Sequence, residues 1–163
     1  MNKIIDNKQF TILWHVDYLK TSRVDPAVVS RVLADIDAEY RKISKMTITR
    51  GKLHKYLGMN IDYSSPGNII FSMIDYIGKM LDNITEDVKG ESATHASHHI
   101  FDIAEDATKL SQADVDLFHH FVAQLLYLSK RARPNIQLVV SFLCTRFREP
   151  DTDDYNNLSR LMK

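Results

Sequence analysis

The segment Phe10-Thr11-Ile12-Leu13-Trp14-His15-Val16-Asp17-Tyr18-Leu19-Lys20-Thr21-Ser22 climbs through an apolar run to a lone carboxylate and then descends. Successive side chains of a strand point to opposite faces. Phe10, Ile12, Trp14 and Val16 therefore share one face, and Thr11, Leu13, His15 and Asp17 share the other. Both faces are largely apolar as far as His15, which predicts a strand covered on both sides. The chain should reverse at Val16-Asp17 into a third strand. Upstream, residues 1–5 read as a strand, joined to the strand over 9–16 by the polar turn cluster Asp6-Asn7-Lys8.

Downstream the period changes. Asp25 is a good N-cap and Pro26 suits the first helical position. Val29, Val32, Leu33, Ile36 and Tyr40 recur at helical spacing, with Arg31, Asp35 and Glu39 facing outward. From Met46 to Met73 the pattern is extended again. Leu53, Tyr56, Leu57, Met59, Ile61 and Tyr63 lead into the turn Ser64-Ser65-Pro66-Gly67-Asn68, and Ile69-Ile70-Phe71 makes the return strand. A short helix then carries Ile74, Ile77, Met80, Leu81 and Ile84.

Residues 85–111 are a polar connection, long for the inside of a compact domain. It reads as a subdomain boundary or as an extended wrap. The last third is helical. Val115, Phe118, Phe121, Val122, Leu125 and Leu126 form one stripe. Pro134 breaks the chain and starts a helix with Ile136, Val139, Val140, Leu143 and Phe147 inside. Asp151 caps a final helix carrying Tyr155, Leu158 and Met162. Strands with one helix, then a hairpin, then a helical bundle give the α+β class, divided at 1–84, 85–111 and 112–163.

With 163 residues, 44% hydrophobic and 26% charged, the chain has the make-up of a soluble globular protein of one domain or two small subdomains. No apolar stretch is long enough to span a bilayer, and no N-terminal pattern reads as a signal peptide. The single Cys144 excludes an internal disulfide and fits a reducing, intracellular compartment. Net charge is zero, so there is no global basic signature for nucleic acid, although a local groove can be basic on a neutral protein.

Three segments, in order and in register, resemble the reverse transcriptase of copia-type retrotransposons. Trp14-His15-Val16-Asp17-Tyr18-Leu19-Lys20 is similar to that family's catalytic hairpin, an aromatic-apolar-Asp-Asp motif. Tyr56-Leu57-Gly58-Met59, followed by Ser65-Pro66-Gly67, is similar to the strand and hairpin that hold the primer end. Leu125-Leu126-Tyr127-Leu128 precedes Arg131-Ala132-Arg133-Pro134-Asn135-Ile136 and Val139-Val140. That run resembles the leucine-tyrosine-leucine stretch and the Arg-Pro-Asp-Ile run of the helical region beyond the palm.

The resemblance implies a partial polymerase palm followed by a helical connection or thumb. It implies fingers and a first palm half, with another catalytic Asp, before residue 1. It also implies a ribonuclease H domain after the last helix, as parts of the same polyprotein. Location in the cytoplasm or in virus-like particles follows from the same likeness.

RNA-directed DNA synthesis, the activity so implied, joins a dNTP to a primer on a template. Two Mg²⁺ ions stabilise charge on both sides of the in-line displacement, and magnesium prefers carboxylate, phosphate and water oxygens. By resemblance Asp17 is a catalytic residue and metal ligand. Tyr18 stands where the family has the second Asp, and Asn135 where it has another. Tyrosine is neutral near pH 7 and a poor magnesium ligand. The chain by itself is therefore expected to be inactive, a non-catalytic nucleic-acid-binding or interaction remnant being the alternative.

Other residues carry two readings each. Asp17 also suits an ordinary hairpin turn, and His15 is a proton donor or a polar residue near a strand end. Gly58 lets backbone approach nucleic acid, or it marks a bulge or bend in a buried hairpin. Lys52, His54 and Lys55 touch phosphate or line a solvated edge. Tyr56, Leu57, Gly58 and Met59, with Lys130, Arg131 and Arg133, are the candidate nucleic-acid contacts. The three cations also suit a helix C-terminus through its dipole alone, as do Arg146 and Arg148. His95, His98, His99, His119 and His120 match no zinc spacing, and Cys144 reads as core.

Overall fold

Alternation and turn chemistry build the first sheet. In the computed structural model, which describes residues 1–83, 90–104 and 106–163, β1 (Asn2–Ile5), β2 (Lys8–His15) and β3 (Tyr18–Ser22) form an antiparallel meander. Ile5 pairs with Lys8 across Asp6-Asn7, both at positive φ (47° and 57°). Asn and Asp tolerate that conformation, which a two-residue hairpin turn needs. His15 pairs with Tyr18 across Val16-Asp17.

The expected two-sided cover of β2 is not found. Phe10 is buried, but Leu13, Trp14 and Val16 are exposed, Trp14 by 74%. The alternation is equally apolar along the strand. What differs is whether anything packs on it.

The helix α1 (Pro26–Tyr40) starts as its sequence dictates, with the Ala27 amide donating to Asp25 Oδ1 at 2.9 Å and Pro26 in the first turn. Val28 and Leu33 are its buried residues. The extended stretch that follows is not one strand but two. β4 (Leu53–Tyr56) turns at Leu57-Gly58 into β5 (Met59–Asp62), and β6 (Ile70–Ser72) completes the sheet. Leu57 and Gly58 have φ of 50° and 71°, so Gly58 is neither a bulge nor a bend but half of a tight hairpin turn. Gly58→Ala should lower stability by about 1–2 kcal/mol through left-handed backbone strain, read as a lower urea midpoint. An unchanged midpoint would mean that the turn relaxes.

The chain divides into two compact units, Met1–Phe71 and Ser72–Lys163. In the second, α2 (Ile74–Leu81) is followed by α3 (Gln112–Ser129), a 3-10 turn (Pro134–Ile136), α4 (Gln137–Thr145) and α5 (Thr152–Met162). The expected division at 84/85 and the residue Ile84 lie outside the described residues. Phe118, Val122, Val140, Leu143 and Leu158 are fully buried. Each such side chain contributes about 1.5–3 kcal/mol by leaving water.

Three described residues of the polar connection bond to the last helix. Arg160 Nη2 donates to Thr94 Oγ1 at 3.0 Å, Ser97 Oγ to Asn157 Oδ1 at 3.2 Å, and the Thr152 amide to the Thr108 carbonyl at 2.9 Å. Among the described residues no helix is long and apolar enough to cross a membrane.

Candidate nucleic-acid interface

The first unit carries the hairpin tip. β2 and β3 lift Val16 and Asp17 beyond their last pair, and Asp17 is exposed. Val16 sits at φ 48°, a left-handed conformation that a β-branched residue adopts at a cost of about 1–2 kcal/mol. Trp14 Nε1 donates to the Val16 carbonyl at 2.6 Å and braces the turn.

Tyr18 points back from the tip. Its ring meets Tyr56 edge-on at 6.3 Å. Two residues on, Lys20 Nζ donates to the Tyr63 hydroxyl at 2.9 Å and lies 4.8 Å from that ring. The tip and the Tyr56-Leu57-Gly58-Met59 turn are thus brought together through Tyr18 and Tyr56. The Lys20–Tyr63 contact had no signal in the sequence, because its partners are 43 residues apart. His54 is tied up locally, its Nε2–H donating to the Gly51 carbonyl at 2.8 Å, with its ring edge-on to Tyr63.

A two-ion magnesium centre needs several oxygen ligands converging. Asp17 is one exposed carboxylate with Tyr18 beside it, and among the described residues no three His, Cys, Asp or Glu side chains gather to hold a metal. The residues present do not fit two ions.

The second unit carries the cations. Lys130 ends α3, and Arg131 and Arg133 follow in the exposed joint before Pro134. The Arg131 guanidinium lies 3.6 Å from the Tyr127 ring centre and donates to the Tyr127 carbonyl at 3.3 Å. The i, i+4 spacing of Tyr127 and Arg131 could have announced this pair. Arg133 Nε donates to Asn135 Oδ1 at 3.3 Å, and Asn135 Nδ2 donates to His95 Nε2 at 2.8 Å. Tyr76 on α2 is partly buried, which pushes its hydroxyl above the ordinary tyrosine range and keeps it a donor. Burial likewise pushes the Cys144 thiol up, so it stays protonated near neutral pH.

Arg146 is engaged by two carboxylates. Its Nε donates to Asp154 Oδ2 at 2.9 Å and its Nη2 to Asp151 Oδ2 at 2.9 Å. Asp151 accepts from the Asp154 amide at 2.9 Å, and Asp154 Oδ2 accepts from the Asp151 amide at 3.1 Å. This is a capping box with carboxylates at both ends, closed by one guanidinium. Desolvation holds the Asp154 carboxyl above its usual range, and hydrogen bonding to Asp154 raises Arg146 further. The histidines are dispersed. His119 stacks on Phe147 at 4.3 Å and donates through Nε2 to the Phe147 carbonyl at 2.6 Å, and His99 faces Asp102.

Over 151 residues, 91% of its length, the chain is 28% identical to the Putative transposon Ty5-1 protein of Saccharomyces cerevisiae. It spans 46% of that protein, about half of its length. No family model matches the sequence, and no solved structure matches it. The chain is related to a transposon protein.

Proposed function

We propose that this chain is part of the reverse transcriptase of a copia-type retrotransposon, the rear of the palm with its helical connection, and that alone it holds nucleic acid without polymerising. One observation carries the reading. The β2–β3 hairpin lifts Asp17 to a strained two-residue tip, in a chain related over nine-tenths of its length to a transposon protein. Strained backbone persists where the surroundings over-determine it, and it clusters at functional sites. Here the Trp14 hydrogen bond supplies the brace.

In this reading Asp17 is an inherited magnesium ligand, and Tyr18 occupies the place of a second carboxylate. This chain's own contribution is to hold a primer-template. Tyr56, Leu57, Gly58 and Met59 present a backbone turn to the primer end, and Lys130, Arg131 and Arg133 face phosphates. The dNTP, the fingers and first palm half, and a ribonuclease H domain are the further partners of the proposed whole.

Incubated with a primer-template, dNTPs and Mg²⁺, the purified chain is expected to extend no primer. Mg²⁺-dependent incorporation that disappears in Asp17→Ala would overturn the inactive reading.

A further inference from the structure

We propose that the groove between α2 and α3 stacks unpaired bases of single-stranded nucleic acid, with the cations at the end of α3 holding the adjoining phosphates. The inference deepens the nucleic-acid reading above and rests on it for the class of ligand. The groove has a volume of about 350 Å³ and is lined by Tyr76, His120, Ala123, Gln124 and Tyr127. This lies at the small end of ligand pockets, which run from roughly 300 to 1,000 Å³.

Positions 120, 123, 124 and 127 follow the i, i+3, i+4, i+7 spacing that places residues on one helix face. Tyr76 forms the opposite wall. Its hydroxyl donates to the Gln124 carbonyl at 3.2 Å, and its ring lies 5.5 Å from that of Tyr127. Arg131 extends the surface with a guanidinium plane over Tyr127. Aromatic rings and arginine planes are the surfaces on which unpaired bases stack, tolerant of sequence because every base has a π-face, and here Arg131 itself caps one face of Tyr127. Among the described residues, the buried Gln124 Oε1 has no hydrogen-bond partner.

Charge selects the occupant. From Leu117 to Arg148 the chain has no Asp or Glu and five Lys and Arg, although its net charge is zero. Arg146 is neutralised by Asp151 and Asp154. Lys130, Arg131 and Arg133 make no ion pair with a carboxylate among the described residues. A basic strip beside an aromatic groove complements a polyanion with exposed rings. A duplex keeps its bases stacked inside, so the fitting ligand is a single strand.

Fluorescence anisotropy of the full chain with a short labelled DNA strand and with an abasic strand of equal length tests this. The base-bearing strand should bind about ten-fold tighter. Tyr127→Leu, and His120→Ala at an exposed position, should reduce that gain. Equal affinity for the two strands in the native chain overturns the proposal, as does a gain that survives both substitutions in folded protein. Duplex binding without a base-dependent gain overturns the groove and leaves the function reading standing. Base-dependent strand binding without any duplex binding overturns the primer-template reading and leaves the groove assigned.

Discussion

Arg146→Met is expected to destabilise the helical unit by about 3–5 kcal/mol, because it leaves buried carboxylates without their cation. The Asp154 side chain is 5% exposed and that of Asp151 11%, and both lean on one guanidinium. Thermal or urea unfolding followed by helical circular dichroism reads the loss. Trp14 fluorescence does not, since the tryptophan lies in the other unit and is exposed.

The effect depends on pH with a definite sign. Asp154 has a folded-state pKa above its ordinary value of 3.8, so the native state binds its proton more tightly than the unfolded chain does. The associated stability is present below the unfolded value and is lost as pH rises through the raised folded one. Removing Arg146 raises that folded pKa further and widens the window. The penalty of Arg146→Met should therefore be small in acid and full at neutral pH. A penalty independent of pH would show that packing of the arginine stem, not charge, is what the substitution removes.

The second large effect is on binding. Changing Lys130, Arg131 and Arg133 together to glutamine should make the salt dependence of primer-template affinity shallower by about 2.7 in log–log slope, at about 0.9 per phosphate contact. Between low and moderate salt this is roughly a forty-fold difference in how much affinity is lost. Circular dichroism checks that the loop still folds, since Arg131 packs on Tyr127 and Arg133 bonds Asn135. A flat salt response in the native chain would remove phosphate contact altogether and leave the helix dipole as the reason for these cations.

Local signals were legible wherever neighbours in sequence are also neighbours in space. Asp25 and Asp151 cap the helices that their positions announce, because a cap is satisfied by amides two or three residues away. The stripe from Phe118 to Leu125 is buried because helical spacing alone places it on one face. The turn at Leu57-Gly58 escaped notice, since leucine rarely takes positive φ and a lone glycine within an extended pattern also suits a bulge. Cover on β2 has no signal in its sequence, because alternation says which residues share a face but not whether another element packs there.

Sequence by itself therefore determined the α+β order of elements, the caps, the tip at Val16-Asp17 and the tyrosine beside it. All of these rest on interactions a few residues long. Tertiary structure alone decided that Tyr18 meets Tyr56, that Lys20 reaches Tyr63 and that Tyr76 closes a groove with Tyr127. It also decided that Arg146, which reads like a free cation at a helix end, is engaged by two carboxylates. Contacts between residues distant along the chain depend on how faces pack, and neither period nor propensity encodes that packing.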